Sequence, residues 1–281
     1  MHVAFGVSDP EAVPVRDAST VMLLRDGTDG IEVVMLRRNL QSDFVGGAYV
    51  FPGGGVDAAD GGPRLAGLCV GRDDVAASAA VGVDRGGLAF WVAAVRETFE
   101  EAGLLLAVDD DGEFVDLGAP AAASRFHDHR LAVDGGHRSL ASVVEEEGLH
   151  LAVDRIHYFS RWVTPLGAPR RYDTRFFVAV APPAQTALAD QREVIEHLWV
   201  RPADALRRSR EGSFELIFPT VRSLEALERF DSAAEVVDHA ASVAAVDAVL
   251  PTMVEVDGGL RIVLPGDVAY DAITGFPIDR E

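Results

Sequence analysis

The spacing of apolar residues lays out most of the chain before any residue suggests a chemistry. Residues 17–25 (DASTVMLLR) alternate weakly between apolar and polar positions and read as a strand. Residues 26–30 (DGTDG) read as a turn, and 31–38 (IEVVMLRR) as the returning strand of a hairpin. Residues 47–51 lead into a Pro-Gly-Gly turn at Pro52, Gly53 and Gly54. Residues 61–87 are rich in Gly, Ala and Asp and read as an inserted excursion. Over 88–105, Phe90, Ala93, Ala94 and Leu104 keep helical spacing, which predicts a helix ending near Gly103.

Further along, the acidic run 109–116 predicts a turn and a short strand, and 121–149 predicts one or two helices, one of them over 139–147. Strands follow at 155–164, 174–181 and 193–200. Pro202 suits the first turn of a helix over 203–210, with further helices at 219–229 and 233–247. The tail from 251 predicts two short strands and a Pro-Gly-Asp turn at 265–267. Mixed strands with helices on both sides predict an α/β/α sandwich. No internal repeat or low-complexity linker divides the chain, so one domain over 1–281 is expected, with a core at about 17–204, an insertion at 61–87 and a C-terminal extension at 205–281.

Composition narrows the partners. A hydrophobic fraction of 48% supports a core. A single cysteine, Cys69, excludes a disulfide framework and a cysteine-based zinc site, and fits a reducing cytoplasm. The net charge is −20, and all 25 basic residues are Arg. A field of that sign repels nucleic-acid backbone and anionic membrane, so neither is an expected partner. An anionic small substrate would need local compensation from metal and arginine. The first residues, MHVAFGVSDPEAVPVRD, lack the basic and apolar blocks of a signal peptide, and no apolar run is long enough to span a bilayer. The last four, IDRE, form no recognised targeting tripeptide, so a cytoplasmic location is expected.

The chemistry concentrates in Arg96-Glu97-Thr98-Phe99-Glu100-Glu101-Ala102-Gly103-Leu104. On a helix, Glu97, Glu100 and Glu101 share one face, with Cβ atoms roughly 5–6 Å apart. Like charges stacked in this way destabilise a helix mildly, so the cluster calls for a neutralising cation. Ligands that are all oxygen suit a hard divalent ion, Mg²⁺ or Mn²⁺.

This run, preceded by Phe51-Pro52-Gly53-Gly54-Gly55-Val56-Asp57, resembles the Nudix box, whose owners hydrolyse diphosphates with divalent metal and water. The resemblance implies a Nudix-type sandwich. It also implies a metal held by Glu100, Glu101 and the Gly53 carbonyl, with Glu97 as a further ligand or as the base. Arg96 would pair with a carboxylate and orient it. A further catalytic carboxylate often lies outside the box, and Glu193 and Glu196 are the candidates. Arg38 and Arg175, with Arg37 and Arg171 behind them, would grip substrate phosphates.

The box departs from its pattern in two respects. The residue six positions after the glycine, expected to be Glu, is Asp60, and 35 residues separate it from Arg96, 28 more than the family spacing. That leaves Asp60 and Asp57 open between groups that orient the ligands and a solvated acidic loop. The long insertion resembles the Nudix subgroup that includes peroxisomal coenzyme A diphosphatases. Arg37-Arg38, Thr174-Arg175-Phe176-Phe177, Trp199-Val200 with Pro202, and Leu264-Pro265-Gly266-Asp267 agree with it. The substrate this implies is coenzyme A or an acyl-CoA. An ADP-sugar, dinucleotide or nucleoside triphosphate is the alternative substrate, a non-catalytic nucleotide sensor the alternative role, and a homodimer a family-level expectation.

Other candidates carry less. His127 and His129 are two apart and diverge on a helix, so their pairing does not suggest a metal site. Ser42 and Ser160 lack a nucleophile elbow, so serine hydrolysis has no support.

Overall fold

In the computed structural model, which describes residues 9, 12–39, 46–188, 194–256 and 259–267, the sheet is built around one long strand. β1 (Val15–Gly27) turns back at Thr28 and Asp29 into β2 (Gly30–Arg38), the predicted hairpin with a tighter turn. β3 (Tyr49–Val50) pairs with β2, and β4 (Gly53–Gly55) pairs with β1. The excursion carries two short helices, α1 (Pro63–Ala66) and α2 (Asp74–Val81), ahead of α3 (Leu88–Ala102). Next come β5 (Ala107–Val108), α4 (Pro120–Asp134), α5 (Leu140–Glu146) and β6 (His150–Leu151). They lead to β7 (His157–Val163), β8 (Arg171–Val180) and β9 (Val194–Val200). Three helices, α6 (Pro202–Arg210), α7 (Phe218–Leu227) and α8 (Ala233–Ser242), precede β10 (Ala248–Val249), β11 (Thr252–Val256) and β12 (Gly259–Val263).

The main sheet runs β10-β7-β8-β1-β2-β3, with β4 added on β1 and β9 on β2. β1 with β8 and β10 with β7 are parallel, and the remaining pairs are antiparallel. Val21 and Leu23 of β1 point into one core with α3, α4 and α5, while Met22 and Leu24 point into a second core with α6, α7 and α8. All four are fully buried. A strand covered on both faces has no polar side to display, which is why its alternation is weak in the sequence. The architecture is the expected α/β/α sandwich with a mixed sheet.

Several expectations shift. The 109–116 run forms the turn, but its strand shrinks to a single antiparallel bridge between Phe114 and Val108; the pairing strand is β5, two residues long, joined to β6. The helix expected over 233–247 ends at Ser242, and β10 continues from it onto the edge of the main sheet at Arg161 and Trp162. The 88–105 helix stops at Ala102 because Gly103 takes a left-handed conformation (φ 68°) and its N–H returns to the Phe99 carbonyl.

The insertion is fastened at its far end. The Asp74 carboxylate accepts from the backbone N–H groups of Gly86 (2.9 Å) and Leu88 (3.0 Å), and Ser78 Oγ accepts from Gly87 N–H (2.9 Å). These donors belong to the approach and first turn of α3, where helix N–H groups lack partners within the helix. The same bonds hold the Asp74 carboxyl below its ordinary range, led by the contact with Leu88.

Candidate active site

Asp60 and Arg96, 36 positions apart, close the two halves of the box. Arg96 Nε and Nη2 donate to the two Asp60 carboxylate oxygens, each at 2.9 Å. Arg96 Nη2 also reaches the Gly55 carbonyl at 2.8 Å, and Asp60 accepts from Asp57 N–H at 2.8 Å. Asp60 is buried at 2% exposure, which removes the solvated-loop alternative for it. The Asp57 side chain stays 72% exposed, 3.8 Å from Arg96.

From this anchor Arg96 reaches its own helix. Nη1 donates to Glu97 Oε1 at 2.8 Å and to Glu100 Oε2 at 3.1 Å, so one nitrogen holds two carboxylates. Burial alone would lower the Arg96 pKa. The Asp60 hydrogen bonds and the charges of Glu97, Asp60 and Glu100 outweigh that cost and raise it.

The glycine turn completes the cluster. Gly53 N–H donates to Glu101 Oε2 at 2.9 Å. A Cβ on Gly54 would fall 2.5 Å from Glu97 Oε1, so the Glu97 carboxylate lies against the turn at a distance only glycine allows. Glu97, Glu100 and Glu101 therefore gather where β4 meets the second half of α3. Burial pushes the Glu100 carboxyl up to about 7; Arg96 opposes the rise and the Glu97 charge adds to it. Carboxylates this crowded, with backbone oxygen nearby, form a donor set that fits a hard divalent cation.

Another group brings possible ligand atoms closer together. Atoms of His129, Glu146 and Glu147 all lie within 4.8 Å of one another. Each is already engaged: Glu147 takes two bonds from Arg125, Glu146 pairs with Arg138, and His129 lies between Arg138 (2.9 Å) and Glu147 (3.0 Å). Two arginines balance two carboxylates, so this cluster needs no ion. In the box, among the described residues, Arg96 is shared by Glu97, Glu100 and Asp60, so that all-oxygen set fits a hard cation better than the His129 cluster does.

The remaining candidates separate by position. Glu193 lies outside the described residues. Glu196 accepts from the Tyr49 hydroxyl (3.1 Å) and lies 3.6 Å from Arg37, on the face of the second core and away from α3. Arg38 follows Leu36 by two and pairs with Val194, both in the first core, so it faces the α3 side. Its Nε is buried and has no acceptor among the described residues. Arg175 is 2% exposed, bonded to Asp17 (2.9 Å) and Asp173 (3.0 Å), and lies over the Phe90 ring at 4.2 Å.

Sequence reasoning missed Arg130. It is 3% exposed and donates through Nε to the Glu100 carbonyl and through Nη2 to the Glu101 carbonyl, both at 2.8 Å. Nothing local in the α4 sequence marks this contact; only the return of α4 to the end of α3 creates it.

With this geometry in view, comparison with known proteins is informative. The family model of the NUDT19 Nudix domain matches residues 71–227, more than half of the chain. The acyl-coenzyme A diphosphatase NUDT19 of Gallus gallus is 29% identical over 277 residues, covering 85% of this chain and 72% of the relative. The Homo sapiens protein of the same name is 26% identical over 276 residues, covering 86% and 73%. A NUDIX hydrolase from Alicyclobacillus acidocaldarius has a structure that matches with a TM-score of 0.69 at 30% identity, over 81% of this chain and 97% of that one.

Proposed function

We infer the reaction from one premise: this chain belongs to the NUDT19 Nudix domain family. It is a Nudix hydrolase, an enzyme acting on phosphorus-containing anhydrides. The anhydride we assign to it is the diphosphate bridge of coenzyme A or acyl-CoA. The observation that carries this assignment is the match to relatives named acyl-coenzyme A diphosphatase along most of their length. Water attacks one phosphorus of the bridge; its oxygen joins that phosphorus as the bridging P–O bond breaks. The products are a 4′-phosphopantetheine, acylated or free, and adenosine 3′,5′-bisphosphate.

We assign Glu97, Glu100, Glu101 and the Gly53 carbonyl to a Mg²⁺ or Mn²⁺ ion. Bound there, the ion would polarise phosphoryl oxygens and lower the pKa of a coordinated water. Asp60 fixes Arg96, and Arg96 fixes Glu97 and Glu100 through one nitrogen. The proton of the attacking water passes to a carboxylate; Glu97 and Glu193 are the residues for that role, and separate substitutions to Gln distinguish them. For the substrate phosphates we keep Arg38, which faces the α3 side and whose Nε lacks an acceptor among the described residues. Arg175 Nε lacks one too, but this side chain is fully buried, its Nη1 is paired with Asp17 and Asp173, and it braces the start of α3 through Phe90 instead.

The test is a panel of CoA, acyl-CoA, ADP-ribose, NADH and diadenosine polyphosphates with Mg²⁺ or Mn²⁺, beside Glu100→Gln. Metal-dependent release of adenosine 3′,5′-bisphosphate from CoA or acyl-CoA, lost in the variant, is the expected result. Clear turnover of another diphosphate with none of CoA would overturn the substrate assignment.

A further inference from the structure

We propose that Arg130 is a positioning residue for the metal-binding end of α3, setting the direction of Glu100 and Glu101 through their backbone carbonyls. The inference rests on the reading above that these two glutamates hold the metal.

A helix leaves its last four carbonyls without intrahelical donors. In α3 these are Phe99, Glu100, Glu101 and Ala102, and each has a donor. Gly103 N–H serves Phe99 (3.1 Å) and Leu188 N–H serves Ala102 (2.8 Å). The two in between, Glu100 and Glu101, are both served by the Arg130 fork at 2.8 Å. They belong to the two residues whose side chains carry the proposed ligand oxygens.

The geometry is specific to a guanidinium. Successive helix residues are rotated by about 100° around the axis. One rigid planar group bonded to two successive carbonyls therefore fixes the rotation of that turn as well as its position. A lysine ammonium would keep the favourable charge at the C-terminus but could not form the fork. Arg130 comes from α4, outside the box, so the same turn of α3 is held by two arginines. Arg96 acts through the side chains and Arg130 through the backbone.

The test compares Arg130→Gln and Arg130→Lys with wild type, Glu100→Gln and a stability control, Leu227→Ala, in the second core and fully buried. Mn²⁺ affinity is read by electron paramagnetic resonance on protein without substrate, beside Tm, kcat and KM. Arg130→Gln should bind Mn²⁺ about 10–100-fold more weakly and lose kcat to a similar degree, with KM within about twofold. Arg130→Lys should recover Tm but not Mn²⁺ affinity. Leu227→Ala should lose Tm and keep Mn²⁺ affinity. Folded Arg130 variants with wild-type affinity and kcat would overturn the proposal, as would an equal loss of affinity in Leu227→Ala. Unchanged Mn²⁺ binding in Glu100→Gln would instead overturn the metal assignment beneath it.

Discussion

Replacing Asp60 by Ala tests whether the inserted box is closed as a single unit. The Asp60 side chain is 1% exposed and faces an arginine that is 12% exposed. It accepts two bonds from Arg96 at 2.9 Å and one from Asp57 N–H at 2.8 Å. Removing one partner of a buried ion pair costs about 3–5 kcal/mol. Arg96 keeps Glu97 and Glu100, so the lower end, about 3 kcal/mol, is expected. At about 2–4 °C per kcal/mol, Tm should fall by about 6–12 °C in a scanning calorimeter. Relieved of Asp60, Arg96 is free to follow the glutamates, and kcat should fall about 10–100-fold. Asp60→Asn keeps the shape without the charge and should fall between. Asp57→Ala removes an exposed carboxylate 3.8 Å from Arg96 and should cost no more than about 1 kcal/mol. If Asp60→Ala melts with wild type and turns over normally, or if Asp57→Ala costs as much, the closed-box account is wrong.

Three further outcomes follow from the same geometry. Gly54→Ala places a methyl 2.5 Å from Glu97 Oε1 and should cut kcat at least about tenfold for a small change in Tm, read by paired turnover and melting assays. Glu100 holds its proton in the fold up to about pH 7, whereas the unfolded chain releases it near its ordinary value of 4.5. The unfolded state therefore binds fewer protons across that window, so metal-free stability should fall as pH rises from about 4.5 to 7 and then level off. Melts in chelator should show the fall and Glu100→Gln should flatten it; an identical profile in the variant would refute the assignment. Finally, Arg38→Ala should raise KM with Tm unchanged, while Arg175→Ala should lower Tm by removing a buried side chain packed over Phe90, with Asp173 keeping Arg161; the reverse pattern in steady-state kinetics and melting would exchange their roles.

How much of this was legible depended on how local each feature is. Arg96, Glu97, Glu100 and Glu101 sit within two turns of one helix, so their spacing alone predicts a shared face. The hairpin and the sandwich were readable because β1, β2 and β8 each carry apolar runs of four or more residues. What escaped depends on contacts far apart in sequence. Asp60 stays open in the sequence between an orienting group and a solvated loop until Arg96 is seen beside it, 36 positions on. Arg130 sits on a helix whose own sequence shows no clear apolar stripe, and its partners are backbone carbonyls, which leave no sequence signal. Arg175 was expected at the substrate phosphates, and its charge hides its burial in the sequence; Asp17 and Asp173 make that burial tolerable. β10 was missed because two residues are too few to show a period.

The insertion itself shows why a box can be opened without being lost. Lengthening a flexible loop raises closure entropy only logarithmically, so a roughly fivefold longer connection costs about 1.4 kcal/mol. The insertion is also not a bare loop. Leu65, Ala77 and Val81 join the first core, and Asp74 and Ser78 bind the backbone leading into α3. Each of these ties shortens the segment that remains free to move. The turn at β4 is held independently by pairing with β1 at Ala18, Ser19 and Thr20. Both halves of the site therefore keep their positions on separate supports, and Arg96 has only to bridge them. Lengthening or shortening the exposed stretch 57–59 should thus disturb catalysis only when it moves Asp60 out of reach of Arg96.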